Sequence, residues 1–452
     1  MLAIIHTARI FPRLRLVAAA VLLANGCVAW SQPVGEVEFS RGIGFAQSPG
    51  KLPRALGKGL ALNEGDRLTT SDGAAAIIKL QDGTRMTLRP DSEIIVQQYQ
   101  FSQGAADNAM VLQLLRGGLR ALTGLISKNS ANAARIQTST ATIGIRGTDF
   151  DARICGPECT QESSKINEQA RPNVALASAK LTSSQGDISA TDGAGTKRRL
   201  FDGGSIYVGE TVEMGAAAKG ILVFRDESRL TLGANTRFSV GNFVFDDKNP
   251  TEGKFLVSLL RGSMRALTGL IGKSNPRNVS FATATATIGI RGTGLDLDCN
   301  DEVSCNFFTW LGTIEITPLG QSVAQTLQAG QGLFVSRAEI RPLSAPTLEN
   351  LPRPDTVPVN MQQLFSSGTL PSDEEGLWVN VRDGDVRVVS SGGTVDVGRG
   401  ETVLAGANGQ IGRPVNTPLF IQFDKVPLPN ASNPVMVGVV GALNSRTLPV
   451  CP

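Results

Sequence analysis

Arg116–Thr148 has the sequence RGGLRALTGLISKNSANAARIQTSTATIGIRGT, and Arg261–Thr293 has RGSMRALTGLIGKSNPRNVSFATATATIGIRGT. Twenty of these 33 aligned positions are identical without a gap, at an offset of 145 residues. Self-similarity of this length at a fixed spacing indicates an internal duplication, in which each copy is one structural unit. The chain of 452 residues is therefore expected to contain the same unit twice.

The similarity continues upstream of these stretches at an offset of 144 residues. Leu80–Leu88 (LQDGTRMTL) matches Phe224–Leu232 (FRDESRLTL). Gly65-Asp66 likewise corresponds to Gly209-Glu210. Each unit thus begins near a glycine–acid turn and ends in IGIRGT.

The hydrophobic pattern inside each unit favours strands. Met86, Leu88 and Ile94 are spaced evenly, and the turn residues Asp82-Gly83 and Pro90-Asp91 bound the runs. The chain has 50 glycines but only 5% aromatic residues, a composition that suits many short strands joined by tight turns. We therefore expect an all-β protein.

One segment has a spacing that also fits a helix. Leu115, Leu119, Leu122 and Ile126 lie three or four residues apart. Gly117-Gly118 weakens a helix, because each interior glycine costs about 1 kcal/mol relative to alanine. The segment is predicted to form strand–turn–strand.

The N-terminus has the features of an export signal. Arg9, Arg13 and Arg15 precede an apolar stretch from Leu16 to Ala24, and small residues before Gln32 would allow cleavage. A lipoprotein signal, with Ala24, Asn25 and Gly26 before a lipidated Cys27, is the weaker alternative. We expect a protein that is periplasmic and soluble after signal cleavage, with no membrane span in the mature form.

Charge and histidine content exclude several functions. The formal net charge is +3, and residues 1–31 contain three arginines and no acid, so the remainder is neutral. A neutral surface argues against nucleic acid as a partner. The single histidine is His6, so the mature chain lacks the commonest general base and zinc ligand. We expect no enzyme activity, no catalytic residues, no cofactor and no metal.

The cysteines form two local pairs, Cys155/Cys159 and Cys299/Cys305. In an oxidising compartment such pairs are expected to be disulfides. A metal site would instead need all four thiolates to converge. Cys451 is left over, either free or bonded to another molecule.

The motifs at the end of each unit resemble those of a known family. Gly65-Asp66, Asp82-Gly83-Thr84 and Thr138–Thr148 (TSTATIGIRGT), followed by Phe150, resemble the FecR domain. The second unit fits at Thr283–Thr293 but departs from the pattern at its second turn, where the glycine is missing.

The resemblance implies a periplasmic module with β-solenoid-like or β-roll units in tandem. FecR itself is a membrane-bound regulator that reads the state of an outer-membrane transporter and controls a sigma factor. This chain has no sigma-binding segment before its apolar stretch, so we expect a relative without the anti-sigma part.

The expected organisation has six parts. These are a signal peptide (1–31), a first FecR-like β domain (35–160), a second FecR-like β domain (175–336), a proline-rich linker (337–374), a partial third β unit (375–412) and a proline-rich C-terminal tail (413–452).

The terminal motifs are the main candidates for a site: Arg146, Gly147, Thr148, Arg291, Gly292 and Thr293. In a functional interpretation, each arginine would bind a carboxylate or phosphate. In a structural interpretation, which we favour, each glycine occupies a corner closed to a Cβ and each arginine pairs with carbonyls or a nearby acid.

The favoured function is a non-catalytic protein-interaction or signalling module of the cell envelope, with an unidentified envelope protein as partner. The alternative is a protein that binds peptidoglycan or another polysaccharide by stacking Trp310, Trp378 or Tyr207 on sugars. These aromatics are scattered along the chain, which is more typical of core or edge residues.

Overall fold

The computed structural model describes residues 32–130, 132–299, 303–365, 370, 374–427 and 429. Strands dominate and form two large sheets, which confirms the all-β class. The predicted signal peptide, Cys27 and Cys451 lie outside the described residues. None of the helices in the described part of the chain is long and apolar enough to span a membrane.

The first repeat contributes twelve strands to one sheet. These are β1 (Gly35–Arg41), β2 (Gly44–Gln47), β3 (Arg54–Ala55), β4 (Ala61–Leu62), β5 (Arg67–Thr70), β6 (Ala75–Leu80), β7 (Arg85–Leu88), β8 (Glu93–Gln100), β9 (Ala109–Arg116), β10 (Gly118–Leu122), β11 (Ala134–Gln137) and β12 (Ala141–Cys155).

The second repeat forms the other sheet with fifteen strands. These are β13 (Ala179–Gln185), β14 (Ile188–Thr191), β15 (Lys197–Arg199), β16 (Ser205–Ile206), β17 (Thr211–Met214), β18 (Lys219–Phe224), β19 (Arg229–Leu232), β20 (Arg237–Val244), β21 (Lys254–Leu267), β22 (Val279–Thr283), β23 (Ala286–Cys299), β24 (Ser304–Pro318), β25 (Gln325–Gln328), β26 (Gly332–Ser336) and β27 (Ile340–Leu343).

Four more strands follow near the C-terminus: β28 (Gly376–Ser390), β29 (Gly393–Gly398), β30 (Thr402–Gly406) and β31 (Ile411–Gly412). The helices are short. They are α1 (Leu125–Asn129), α2 (Pro157–Ser164), α3 (Leu270–Ser274), α4 (Met361–Leu364) and α5 (Leu419–Gln422), with 3-10 turns at Pro250–Glu252, Pro276–Asn278 and Pro354–Thr356.

The segment of ambiguous spacing is mostly extended. β9 and β10 are separated by Gly117, which has φ +68°, and the second repeat runs through the matching position as the single strand β21. The predicted strands are confirmed, but Ile126 lies in the short helix α1 rather than in a strand.

The strand pairing supports an all-β fold but not the predicted solenoid-like stacking. Neighbouring strands are antiparallel except for β9 with β11 and β21 with β22. Stacked solenoid coils would pair successive strands in parallel throughout. The described sheets therefore give no evidence of stacked coils.

The C-terminal strands do not form the separate third unit that the sequence suggested. β28 pairs with β12 along nearly its whole length, from Ala141 opposite Ser390 to Cys155 opposite Gly376. Most of the buried apolar side chains of β28, β29 and β30 lie in the same core as those of β1–β12. The third unit is thus part of the first fold.

The second repeat explains this arrangement, because it is completed by the strand that follows it directly. β24 pairs with β23 in the same register as β28 with β12. The remaining pairs also match: β24 pairs with β25 and β26, and β26 with β27, just as β28 pairs with β29 and β30, and β30 with β31.

We call β24–β27 and β28–β31 the closing strands. Copy 1 comprises β1–β12 with β28–β31, copy 2 comprises β13–β27, and copy 2 is inserted between the two parts of copy 1.

The proline-rich segments lie across the copies. In the predicted linker, the carbonyls of Leu348 and Leu351 accept hydrogen bonds from Arg265 of copy 2 at 2.9 and 2.7 Å. In the predicted tail, Asp424 forms an ion pair with the buried Arg89 of copy 1. At these positions both segments therefore pack against the β copies.

Candidate protein-interaction site

The Arg-Gly-Thr motifs form a bulge at the same place in both copies. The register of β12 with β28 shifts after Arg146, and that of β23 with β24 shifts after Arg291. The Thr148 hydroxyl donates to the Asp385 carbonyl at 2.8 Å, and the Thr293 hydroxyl donates to the Thr313 carbonyl at 2.9 Å. Each motif therefore ties the last strand of a repeat to its closing strands.

The motif glycines are required by backbone conformation rather than by lack of space. Gly147 and Gly292 have φ values of +64° and +63°. A Cβ on Gly147 would meet only the Lys128 side chain within 3.4 Å, and one on Gly292 would meet nothing within 4 Å. The expected closed corner is absent, and the left-handed conformation alone disfavours a side chain.

The two motif arginines lie in contrasting surroundings. The Arg146 side chain is 4% exposed and faces Asp396, with 3.4 Å between Nη1 and Oδ1. The Arg291 side chain is 66% exposed and pairs with Glu315 at 2.6 Å. The same sequence motif is thus buried in copy 1 and open in copy 2.

A loop of copy 2 buries the copy 1 motif. We call Phe201–Ser205 the junction loop. The Ser205 amide donates to Asp385 Oδ1 at 3.0 Å, and Arg387 Nη2 donates to the Asp202 carbonyl at 3.4 Å. Gly203 lies so close to Asp396 that a Cβ there would collide with its carboxylate. The junction loop therefore packs directly against the closing strands of copy 1.

Buried ion pairs reinforce this contact. Glu401 on the copy 1 side lies between Lys180 of copy 2, at 3.2 Å, and Arg413, at 2.7 Å. All three side chains are at most 1% exposed. Burial alone would raise the pKa of Glu401, but the charges of Lys180 and Arg413 outweigh it and hold the pKa below its usual value.

A second buried carboxylate has a similar environment. Arg387 binds Asp396 through two nitrogens, at 2.6 and 2.9 Å, and Gln363 of the linker donates to Asp396 at 2.9 Å. Burial would raise the pKa of Asp396, but the hydrogen bonds and charge of Arg387, with the charge of Arg146, lower it. Of the buried pairs described, Lys180–Glu401 joins copy 2 to copy 1, and breaking it would leave uncompensated buried charge at the junction.

The matching face of copy 2 is open. It consists of Arg291, Thr313, Glu315, Thr326 and Gln328, which correspond to Arg146, Asp385, Arg387, Asp396 and Gly398 in copy 1. We call these five residues of copy 2 the bare face. Arg291, Thr326 and Gln328 are exposed, whereas Asp385, Asp396 and Gly398 are buried. The same architecture is therefore covered by protein in copy 1 and uncovered in copy 2.

Comparison with known proteins identifies the repeated unit. The model of the FecR protein family matches residues 66–167 and 210–314. This chain is a FecR domain-containing protein with two copies of the domain. Both matched regions include the strand that carries the Arg-Gly-Thr motif; the first ends after helix α2 and the second ends inside β24.

Solved structures add a distant similarity. Two crystal structures, at 1.65 and 2.50 Å, of an anti-sigma factor candidate from Parabacteroides distasonis are 14% identical to this FecR domain-containing chain. Each match covers 29% of this chain and 58% of the other, with a TM-score of 0.24. No curated protein matches the chain significantly.

The predicted disulfides of the FecR copies are confirmed. Cys155 is bonded to Cys159 and Cys299 to Cys305, with Cα–Cα distances of 5.7 and 4.2 Å. The first cysteine of each bridge is the last residue of a strand that carries an Arg-Gly-Thr motif. Among the described residues, no group of three or more histidine, cysteine or acidic side chains could hold a metal ion.

The aromatic residues considered for sugar stacking are not presented on an open face. Trp378 is 1% exposed and packs edge-on against Phe420. Tyr207 is buried at the junction, where its hydroxyl accepts a hydrogen bond from a backbone amide. The Trp310 ring is covered by the Arg353 guanidinium at 4.2 Å.

Copy 1 also has an open groove of about 1280 Å³ beside helix α2 and the C-terminal segment. Two of the arginines that line it are ion-paired, Arg153 with Glu162 at 2.7 Å and Arg89 with Asp424.

Sequence reasoning missed the buried acids Asp385, Asp396 and Glu401. They lie in the segment that was assigned to a separate unit, so nothing placed them near Arg146. One weak sequence signal could have linked the two segments, because Gly312 and Gly384 are each followed by alternating apolar residues. In the structure these glycines face the two bulges, with φ values of +72° and +81°.

Proposed function

We propose that this protein is an exported, non-catalytic FecR-domain protein that acts in cell-envelope signalling by binding another protein through the bare face of copy 2. The observation that carries the proposal is the junction. The corresponding face of copy 1 already binds a folded β unit through hydrogen bonds and ion pairs. A face that binds protein in one copy is a reasonable binding surface in the other.

The geometry of the bare face suits protein recognition. β25 pairs only with β24 among the described strands, so it leaves one edge with unpaired backbone groups. Exposed edges of this kind accept a strand from a partner by β-augmentation. Arg291 and Glu315 add one charge of each sign beside this edge, which would orient a partner.

Export and the lack of catalysis have separate support. Two disulfides are typical of an oxidising compartment such as the periplasm, and the basic, apolar N-terminus is typical of an export signal. The only histidine of the chain is His6. Two of the fully buried acids, Asp396 and Glu401, are held in ion pairs.

Site-specific photo-crosslinking in intact cells tests the proposal. A photoreactive amino acid at Thr326, on the bare face, should form a discrete adduct with a protein of the envelope. The same group at Lys248, in an exposed loop of copy 2 outside the bare face, is the matched control. Equal labelling at both positions, or no protein adduct at Thr326, would contradict the proposal.

The polysaccharide alternative is separated by a different experiment. Co-sedimentation with purified peptidoglycan should leave the protein in the supernatant, because the bare face has no aromatic side chain on which a sugar could stack. Stoichiometric co-sedimentation would favour the alternative.

A further inference from the structure

The junction loop has a structural counterpart in copy 1. This segment, Gly57–Ala61, we call the free loop. Gly203 donates to the Leu181 carbonyl at 2.6 Å, and Gly59 donates to the Val37 carbonyl at 2.8 Å. The two glycines have φ values of +86° and +83°. Because these contacts match at an offset of 144 residues, both loops project from their sheets in the same conformation.

The two loops differ in what covers them. In the junction loop, Gly203, Gly204 and Ser205 are buried by the closing strands of copy 1. In the free loop, Lys58, Gly59 and Ala61 are exposed. One chain therefore contains an uncovered loop on copy 1 and an uncovered face on copy 2, and these correspond to the two parts that bind each other at the junction.

The free loop and the bare face carry charges opposite in sign to those at the matching positions of the junction. At the junction, Arg387 donates a hydrogen bond to the backbone carbonyl of Asp202, whose carboxylate accepts a hydrogen bond from Ser184. The corresponding residues are Lys58 in the free loop and Glu315 on the bare face. Both signs are reversed, so the loop residue and the face residue carry opposite charges in both cases. The other matched elements, Gly59 for Gly203 and Arg291 for Arg146, keep their residue types.

We propose that the free loop of one molecule docks on the bare face of a second molecule of the same chain, with Lys58 beside Glu315. This inference rests on the proposed function of the bare face as a protein-binding surface and names a second copy of this chain as its occupant. The contact uses different surfaces on the two molecules, so each bound molecule presents a new free loop or bare face. Heterologous contacts of this type build open, head-to-tail assemblies unless a ring closes.

The contact between molecules should be weaker than the junction. Glu401 and Lys180, which pair at the junction, correspond to Gln331 and Glu36, so this buried ion pair has no counterpart. The junction also forms within one chain, where covalent linkage raises the effective concentration of the parts. Association is therefore expected to be reversible and to increase with protein concentration.

Sedimentation velocity on the purified full-length protein, after signal removal, tests the inference. The wild type should show faster-sedimenting species as its concentration rises. Lys58→Glu and Glu315→Lys should each weaken association about fivefold or more, as expected for replacing an ion pair by like charges. The double variant restores opposite charges and should recover most of the association. Lys248→Glu, outside both surfaces, is the control that should associate like the wild type.

Isotope-mixed crosslinking identifies the contact directly. A carbodiimide joins an amine to a carboxylate without a spacer, so a mixture of ¹⁵N-labelled and unlabelled protein should yield a Lys58–Glu315 link between chains of different label.

A wild type that stays monomeric at every concentration, or association that both charge reversals leave unchanged, would overturn self-association. In that case, capture of an envelope protein by the photoreactive group at Thr326 would still support the proposed function, although self-association would be wrong. If Thr326 formed no protein adduct either, the proposed function and self-association would both be wrong.

Discussion

Leu377→Ala tests whether the closing strands β28–β31 belong to copy 1. Leu377 lies on β28 opposite Ile154 of β12, and its side chain is fully buried in the core shared by residues 34–152 and 377–405. Truncation removes apolar contacts and leaves a cavity that the surrounding strands cannot fill. Buried leucine-to-alanine changes cost about 2–5 kcal/mol of unfolding free energy, and we expect a value within that range.

Urea denaturation combined with hydrogen exchange and mass spectrometry provides the measurement. Copy 1 peptides from residues 141–155 should lose protection together with those from residues 376–390, whereas residues 286–299 of copy 2 should be unaffected. Val389→Ala, on the same strand but 43% exposed, is the matched control and should change stability by no more than about 0.5 kcal/mol. Loss of protection confined to residues 376–412 would refute the assignment, because it would indicate an independent third unit.

Two further substitutions and one measurement probe the motif, the junction and a disulfide. Gly147→Val should cost about 1–3 kcal/mol in urea denaturation, because a β-branched residue is forced to positive φ, and an unchanged midpoint would refute that reason. Glu401→Gln should cost about 3–5 kcal/mol near pH 7, because Lys180 and Arg413 stay buried without their acid; a cost below about 1 kcal/mol would count against the ion-paired junction. The pKa of Glu401 is lowered in the folded state, so the stability that Glu401 contributes is complete above its unfolded pKa near 4.5 and is lost as the pH falls below that value. The difference in unfolding free energy between wild type and variant should therefore narrow at acid pH. Non-reducing mass spectrometry should show Cys155 linked to Cys159, with a contribution below the ~3 kcal/mol of a 15-residue loop, and free thiols there would contradict the structure.

The features that the sequence predicted are those encoded locally. Strand alternation, turn glycines and cysteines four or six residues apart act over short distances, so β6, β7 and both disulfides could be inferred from neighbouring residues. The duplication was visible because both repeats kept the IGIRGT strand nearly unchanged.

The pairing of β28 with β12 could not be inferred in the same way. The partners Arg146 and Asp396 are 250 residues apart, and a complete second copy lies between them. The two closing segments share little beyond a glycine and an alternating pattern. Local pattern therefore identified residues 375–412 as strands, but it could not determine which sheet they join.

The motif arginines illustrate a related limit. Arg146 and Arg291 lie in identical six-residue sequences, yet one is buried and the other is two-thirds exposed. Their surroundings differ because the inserted copy 2 folds back onto copy 1, while no described segment folds onto copy 2 in the same way. The candidate site therefore became visible only when the two copies were compared in three dimensions.

The most direct test is carboxyl footprinting of Glu315, compared between living cells and the dilute purified protein. If the bare face is covered by protein in the envelope, Glu315 should be labelled much less in cells, whereas Asp187, an exposed acid of copy 2 outside that face, should be labelled equally in both. Equal labelling of Glu315 in cells and in dilute solution would show that nothing occupies the face and would contradict its role as a binding surface.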